Sequence, residues 1–192
     1  MAVEHTESTA PERRAKPYFL YSGRIEEGKG CRELLDAFFR FRKHSRTDAT
    51  LVLTGVDNMR LPQRGDIEFL GFVDEKRKLA LMAGAAAFVL PSEYESFSIV
   101  TLEAMAQRTP VIVNGRCEVL RDHIDRSSAG FYYRTPEELA GTMERALALD
   151  AAERTRIGEA GRRYVLDRYS EDRIRERLVD AVERIALGES RD

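Results

Sequence analysis

Residues 67–105, IEFLGFVDEKRKLALMAGAAAFVLPSEYESFSIVTLEAM, decide the fold. They pass from a short β-rich run, IEFLGF, through the helix-period segment DEKRKLALMAGA to an apolar run, AFVLP, and then into a second helical segment, SIVTLEAMAQ, which ends at Gln107. Strand and helix alternating at this spacing mark βαβ units and a mainly parallel sheet. The same alternation continues outward. Upstream, YFLYSG and TLVLTG flank the helix-period segment KGCRELLDAFFRFRKH; downstream, PVIVN and AGFYY flank a shorter helix near EVLRDHI. The expected class is α/β: a doubly wound, Rossmann-like parallel sheet of about six strands with helices on both faces. After Tyr133 the strands stop. TPEELAGTMERALAL, AERTRIGEAGRRYVLDRY and SEDRIRERLVDAVERIA read as three consecutive helices, a helical C-terminal tail, and two of them open with Thr or Ser followed by acids, as N-caps do.

The 192 residues suffice for one well-cored domain but not for two full-sized α/β domains. Residues 1–16 read as a polar leader or linker and 17–192 as the domain. Lys and Arg number 31 against 33 Asp and Glu, which excludes a strongly basic nucleic-acid surface, so any anion site must be local. Cys31 and Cys117 lack a CxxC spacing and histidine company, which argues against zinc and against a disulfide scaffold and favours a reduced, cytoplasmic setting. No apolar run approaches the roughly 20 residues of a membrane span, and the N-terminus lacks the apolar core of a secretory signal.

In an open α/β sheet the ligand sits outside the carboxyl ends of the strands. The loops to read are therefore SGRIEEGKG, TGVDNM, GFVD and PSEYESFS. The first places Gly23, four residues, Gly28 and then Lys29, most of a Walker A loop, but Gly30 stands where that motif needs a hydroxyl for magnesium. An NTPase is therefore disfavoured. A phosphate logic without metal remains: Arg24 follows a strand end and Lys29 opens the next helix, where unpaired N–H groups favour an anion. The plainer alternative makes Arg24 and Lys29 surface charges beside Glu26 and Glu27. Glu95 and Glu103 likewise have two readings, as solvated acids favourable to a helix start or as carboxylates that hold a polyhydroxylated ligand.

Taken together, GRIEEGKG, the stretch 67–105 and TPVIVNG resemble the C-terminal, donor-binding half of the retaining glycosyltransferases of GT-B fold (glycosyl transferases group 1, family 4 type). The family signature, Glu, seven residues, Glu, is met by Glu95 and Glu103, with Phe97 between them and EAM following. The resemblance runs in order from about Tyr18 to the last helix. It implies a hexosyltransferase that draws on a UDP-sugar or GDP-sugar, requires no metal, and acts in polysaccharide or glycolipid assembly. Glu95 would contact hydroxyls of the transferred sugar and Glu103 the ribose hydroxyls. Backbone N–H groups of Ser96, Phe97, Ser98 and Ile99 would face sugar and diphosphate. Arg24 and Lys29, beside Gly23, would neutralise the leaving diphosphate, and Gly55 with the backbone at Phe72 and Val73 would hold the base. Two departures stand out: Ser96-Phe97-Ser98 where the family commonly has Gly-Phe-Gly, and Gln107-Arg108 where it has a small residue and glycine.

A GT-B enzyme has two such domains, and nothing before Tyr18 corresponds to the acceptor-binding one. The chain is thus expected to be part of a longer enzyme, the donor half of a two-chain enzyme, or a stand-alone nucleotide-sugar binding module without transfer activity. The last helix corresponds to the segment that crosses back to the other domain, so part of its apolar face should lack a partner and favour self-association. The complete enzyme would be cytoplasmic, with peripheral association at the inner face of the membrane as an option. Phe97 is expected to pack beneath its loop and His123 to be a packing or surface histidine.

Overall fold

The computed structural model describes residues 2, 3 and 6–186. Positions 1, 4 and 5 of the leader and 187–192 at the end of the domain lie outside the described residues. Six parallel strands, β1 (Tyr18–Ser22), β2 (Thr50–Thr54), β3 (Ile67–Phe69), β4 (Ala87–Leu90), β5 (Val111–Asn114) and β6 (Gly130–Tyr133), form one sheet in the order β3-β2-β1-β4-β5-β6. Leu20 of β1 sits in register between Val52 of β2 and Phe88 of β4. The central strands are buried along nearly their whole length because helices cover both sides of the sheet, which removes the polar alternation of a one-faced sheet.

Helix α1 (Cys31–His44) crosses from β1 to β2 and packs on α5 (Pro136–Ala148). The opposite layer holds α2 (Glu75–Gly84), α3 (Ile99–Ala106) and α4 (Glu118–Ser127), with α6 (Ala151–Tyr169) lying against α3 and α4. Helix α7 (Glu171–Ala186) follows α6 after one residue. The doubly wound sheet with its helical tail is the architecture expected from the sequence.

The cap signals are partly redistributed. Thr135 caps α5 through Glu138 N, as its TPEE context implies, and Asp150 closes a full capping box with Glu153 at α6. Ser170 does not cap α7 with its side chain. Its carbonyl accepts from Ile174 N, but its hydroxyl donates back to the Leu166 carbonyl of α6, because α6 runs directly into α7 and leaves orphan carbonyls within reach.

Residues 6–16 carry no helix or strand and lie along the domain surface. The Gln107 carboxamide accepts from Thr9 N and donates to the Glu7 carbonyl, both at 2.8 Å; Arg108 reaches Ser8 Oγ and Arg162 the Thr6 carbonyl. Further along, Glu12 N donates to Ala80 O. Val3, buried, donates its N–H to Tyr169 O at the α6–α7 junction. The sequence departure at Gln107 and Arg108 therefore serves this strap, and Arg108 takes the left-handed φ of 62° that a glycine would adopt there. On α7, Leu178, Val179, Val182 and Ile185 are exposed, as the apolar pattern of that helix led us to expect.

Candidate functional site

The strand order reverses between β1 and β4, so the loops that leave these neighbours diverge and open a crevice at the carboxyl end of the sheet. On the β1 side the chain turns at Gly23 and is tied down at once: Tyr21 donates its hydroxyl to the Arg24 carbonyl at 2.6 Å, and Ile25 is fully buried, donating to Val56 O and accepting from Asn58 N. One 3₁₀ turn, Glu27–Lys29, leads to Gly30, which enters α1 at φ 72°. A Cβ on Gly30 would run into the Pro91 carbonyl of the opposite loop. That carbonyl also accepts from the buried Asn114 at 3.0 Å, so the loops after β1, β4 and β5 meet at one backbone oxygen. The hydroxyl missing at Gly30 is thus a packing requirement, and no side chain fits there to serve magnesium.

Lys29 spans the crevice. Its Nζ lies 2.9 Å from Glu95 Oε1, and the two side chains keep 27% and 16% of their surface exposed. Arg24 is placed differently: two-thirds exposed on the rim, its guanidinium is 3.7 Å from Glu26, an ion pair too long for a hydrogen bond. The structure brings Lys29 and Glu95 together and leaves Arg24 as a peripheral cation.

Glu103 is 8% exposed, with Oε2 2.7 Å from Lys78 Nζ, which also reaches Glu75 at 2.8 Å. Burial alone would lower the Lys78 pKa, but the hydrogen bonds it donates to Glu103 and Glu75 outweigh it and hold the ammonium above its ordinary value. The first turn of α3 contains no acid: Glu95 is in the loop and Glu103 a turn further in. Because the dipole acts within the first turn, the helix-start reading of these two acids falls. Lys78 is a site residue that the sequence did not reveal. It looks like one more charge in DEKRK, and nothing local ties it to an acid 25 positions on.

Ser98 enters α3 at φ 61°, ψ 64°, a left-handed conformation that costs a non-glycine residue about 1–2 kcal/mol. Its hydroxyl pairs with Thr101 Oγ1 at 2.8 Å. Phe97 packs edge-on against Tyr169 and His123, with ring centroids 5.3 and 6.2 Å away, while Ser96 and Ile99 stay exposed on either side. On the other flank, the turns after β1, β2 and β3 are stitched edge to edge: Gly23 N donates to Thr54 O and Gly55 N to Gly71 O, and a Cβ on Gly55 would strike the Gly23 carbonyl. Phe72 projects from this edge 87% exposed, next to half-buried Val73. No cluster of His, Cys, Asp and Glu suited to a metal occurs among the described residues, and none of their helices is long and apolar enough to cross a membrane.

A doubly wound sheet whose switch point carries lysine–carboxylate pairs defines a Rossmann-like α/β domain. More narrowly, the chain belongs to the glycosyl transferases group 1 family, whose profile matches residues 4–164. An uncharacterized glycosyltransferase of Methanocaldococcus jannaschii is 33% identical over 180 residues, 88% of this chain and 45% of the relative. The chain spans about half the length of the curated relatives it matches. Among solved structures, the C-terminal domain of a glycosyl transferase group 1 family protein (LpcC) from Francisella tularensis shares the fold at TM-score 0.70 and 21% identity, over 86% of this chain and 98% of that one. Anabaena HepE, solved with UDP and glucose, shares it at TM-score 0.74 and 19% identity, over 88% of this chain and 48% of that one.

Proposed function

We propose that this chain is the donor-binding domain of a retaining hexosyltransferase that moves a sugar from a nucleotide diphosphate to a polysaccharide, glycolipid or similar acceptor. The observation that carries the reading is the Lys29–Glu95 pair, set across the switch-point crevice beside the N-terminus of α3. Lys29, with Arg24 at the rim, supplies positive charge where a leaving diphosphate develops negative charge, a contribution largest in the transition state. These cations take the place of a metal in the reading. Glu95 accepts from vicinal sugar hydroxyls, and Glu103, held by Lys78, accepts from ribose hydroxyls. Ser96 to Ile99 present backbone N–H groups to the phosphates, and the Gly55, Phe72 and Val73 edge receives the base. HepE, a fold relative, binds UDP and glucose, which supports a nucleotide sugar here. The exposed stripe of α7 is where we place contact with an acceptor-binding half or with a second copy.

The test is a calorimetric titration of this chain with UDP, GDP and their hexose conjugates in metal-free buffer, beside Glu103→Ala. The reading expects one diphosphate to bind and the substitution to abolish binding. A folded protein that binds none of them, or binds one equally well without Glu103, would refute it.

A further inference from the structure

Beneath the loop between the two acids lies a buried histidine that the donor chemistry above does not use. His123 of α4 is 4% exposed and has both ring nitrogens engaged, Nε2 at 3.0 Å from the Phe97 carbonyl and Nδ1 at 2.9 Å from the Tyr164 hydroxyl. The partners fix the proton positions. A carbonyl only accepts, so Nε2 carries the hydrogen. Burial lowers the His123 pKa and favours the neutral ring, so Nδ1 is the acceptor and Tyr164 donates to it. With its one proton spent, Tyr164 accepts from the Tyr169 hydroxyl 3.2 Å away. A single directed chain thus runs from the α6–α7 junction to the Phe97 carbonyl.

We propose that His123 is a positioning residue: it fixes the Phe97–Ser98 peptide plane so that the Ser98 N–H, and the start of α3 behind it, faces the crevice. In a trans peptide the carbonyl and the following N–H point in opposite directions, and the described chain has no cis bonds. A carbonyl drawn down to His123 therefore turns the Ser98 N–H the other way. The plane needs such a hold because Ser98 sits at positive φ, from which an L-residue relaxes when nothing opposes it. Rings of Phe97, His123, Tyr164 and Tyr169 pack edge to face, with centroids 5.3 to 6.2 Å apart, and hold the imidazole in place beside the part-buried bond. The consequence for diphosphate affinity rests on the donor-binding reading, but the orientation of the peptide does not.

Two variants separate these. His123→Phe keeps an aromatic ring in the cluster and loses both hydrogen bonds; His123→Gln keeps a donor for Phe97 O and an acceptor for Tyr164. Amide residual dipolar couplings of the ligand-free proteins read the Ser98 N–H direction against the body of α3. His123→Phe should shift the Ser98 coupling while the rest of α3 holds, and His123→Gln should restore it. An unchanged coupling in folded His123→Phe overturns the inference. Titration with UDP and GDP follows. Affinity for whichever binds the wild type should fall about tenfold in His123→Phe and recover within about threefold in His123→Gln. If the coupling moves and affinity does not, His123 holds the loop without serving phosphate, and the positioning role is wrong. If the wild type binds neither nucleotide, the donor-binding reading fails while the couplings still decide what His123 holds.

Discussion

Glu95→Gln should change the affinities for a bare nucleotide diphosphate and for its sugar conjugate in different ways. In the ligand-free fold Glu95 already holds Lys29 at 2.9 Å. With 27% and 16% of the side chains exposed, the pair stands between a solvated bridge, worth about 0–1 kcal/mol, and a charge-assisted hydrogen bond in a dry interior, worth about 1.5–3 kcal/mol. A coupling of about 1 kcal/mol is the reasonable value. A bare diphosphate must pull Lys29 from Glu95 and gives the carboxylate nothing in return. Neutralising Glu95 removes that competition, so UDP or GDP should bind equally well or up to about fivefold tighter. The conjugate does offer hydroxyls to Glu95. Replacing two charge-assisted bonds by neutral ones costs about 1.5–3 kcal/mol, of which the freed lysine returns about 1, leaving a net loss of about two- to thirtyfold. The ratio of the two affinities should therefore shift about tenfold or more. Calorimetry on the wild type, Glu95→Gln, Lys29→Met and the double variant measures it. Lys29→Met should weaken both ligands together. If Glu95→Gln also weakens both by one factor, Glu95 does not contact the sugar and the argument fails.

Three further outcomes follow from the same geometry. Gly30→Ala places a Cβ against the Pro91 carbonyl at positive φ and should cost about 2–4 kcal/mol in chemical denaturation; a cost under about 0.5 kcal/mol would mean that the two loops do not meet as described. Lys78→Met takes the ammonium from the nearly buried Glu103 and should cost about 1–3 kcal/mol, largely recovered in Lys78→Arg, and equal stability of all three proteins would remove Lys78 from the site. Burial lowers the His123 pKa below the ordinary value of about 6.5, so the unfolded chain takes up this proton first as pH falls. Its contribution is complete above about pH 6.5 and is lost below it toward the folded pKa, at no more than about 1.4 kcal/mol per pH unit. Melting from about pH 7.5 to about 5.5 should thus fall further for the wild type than for His123→Gln, and parallel curves would contradict the burial effect.

The sheet was legible because its central strands are covered on both faces, so YFLYS, LVL, AFVL and VIVN read as unbroken apolar runs. The edge was harder. IEFLGF shrinks to Ile67–Phe69, since β3 pairs on one side only and Gly71 turns the chain at φ 66°. Glu95, Glu103 and Lys29 could be named from their order along the chain, but their pairings could not, because Lys29 meets a residue 66 positions away through topology alone. Gln107 and Arg108 stood out as an odd helix end, and their role in holding residues 7–9 is a tertiary contact about 100 positions long with no local trace. His123 was expected to be a packing or surface histidine. That both of its nitrogens are engaged depends on Tyr164 and on Phe97, which come from different elements.

Both acids of the candidate site, Glu95 and Glu103, already hold lysines before any ligand arrives. Binding must therefore exchange ion pairs, and the affinity is a difference between partners. With a formal net charge of −2, the chain as a whole gives a diphosphate no general attraction, so the attraction depends on whether local lysines are released. A ligand that carries hydroxyls beside its phosphates can occupy Glu95 and free Lys29 in one step. A ligand with phosphate alone leaves the carboxylate as a competitor, and one with hydroxyls alone leaves Lys29 without a new partner. On the donor-binding reading, the arrangement should favour molecules in which both groups occur at the spacing of the crevice, as in a nucleotide sugar, over free phosphate and free sugar, without any steric exclusion.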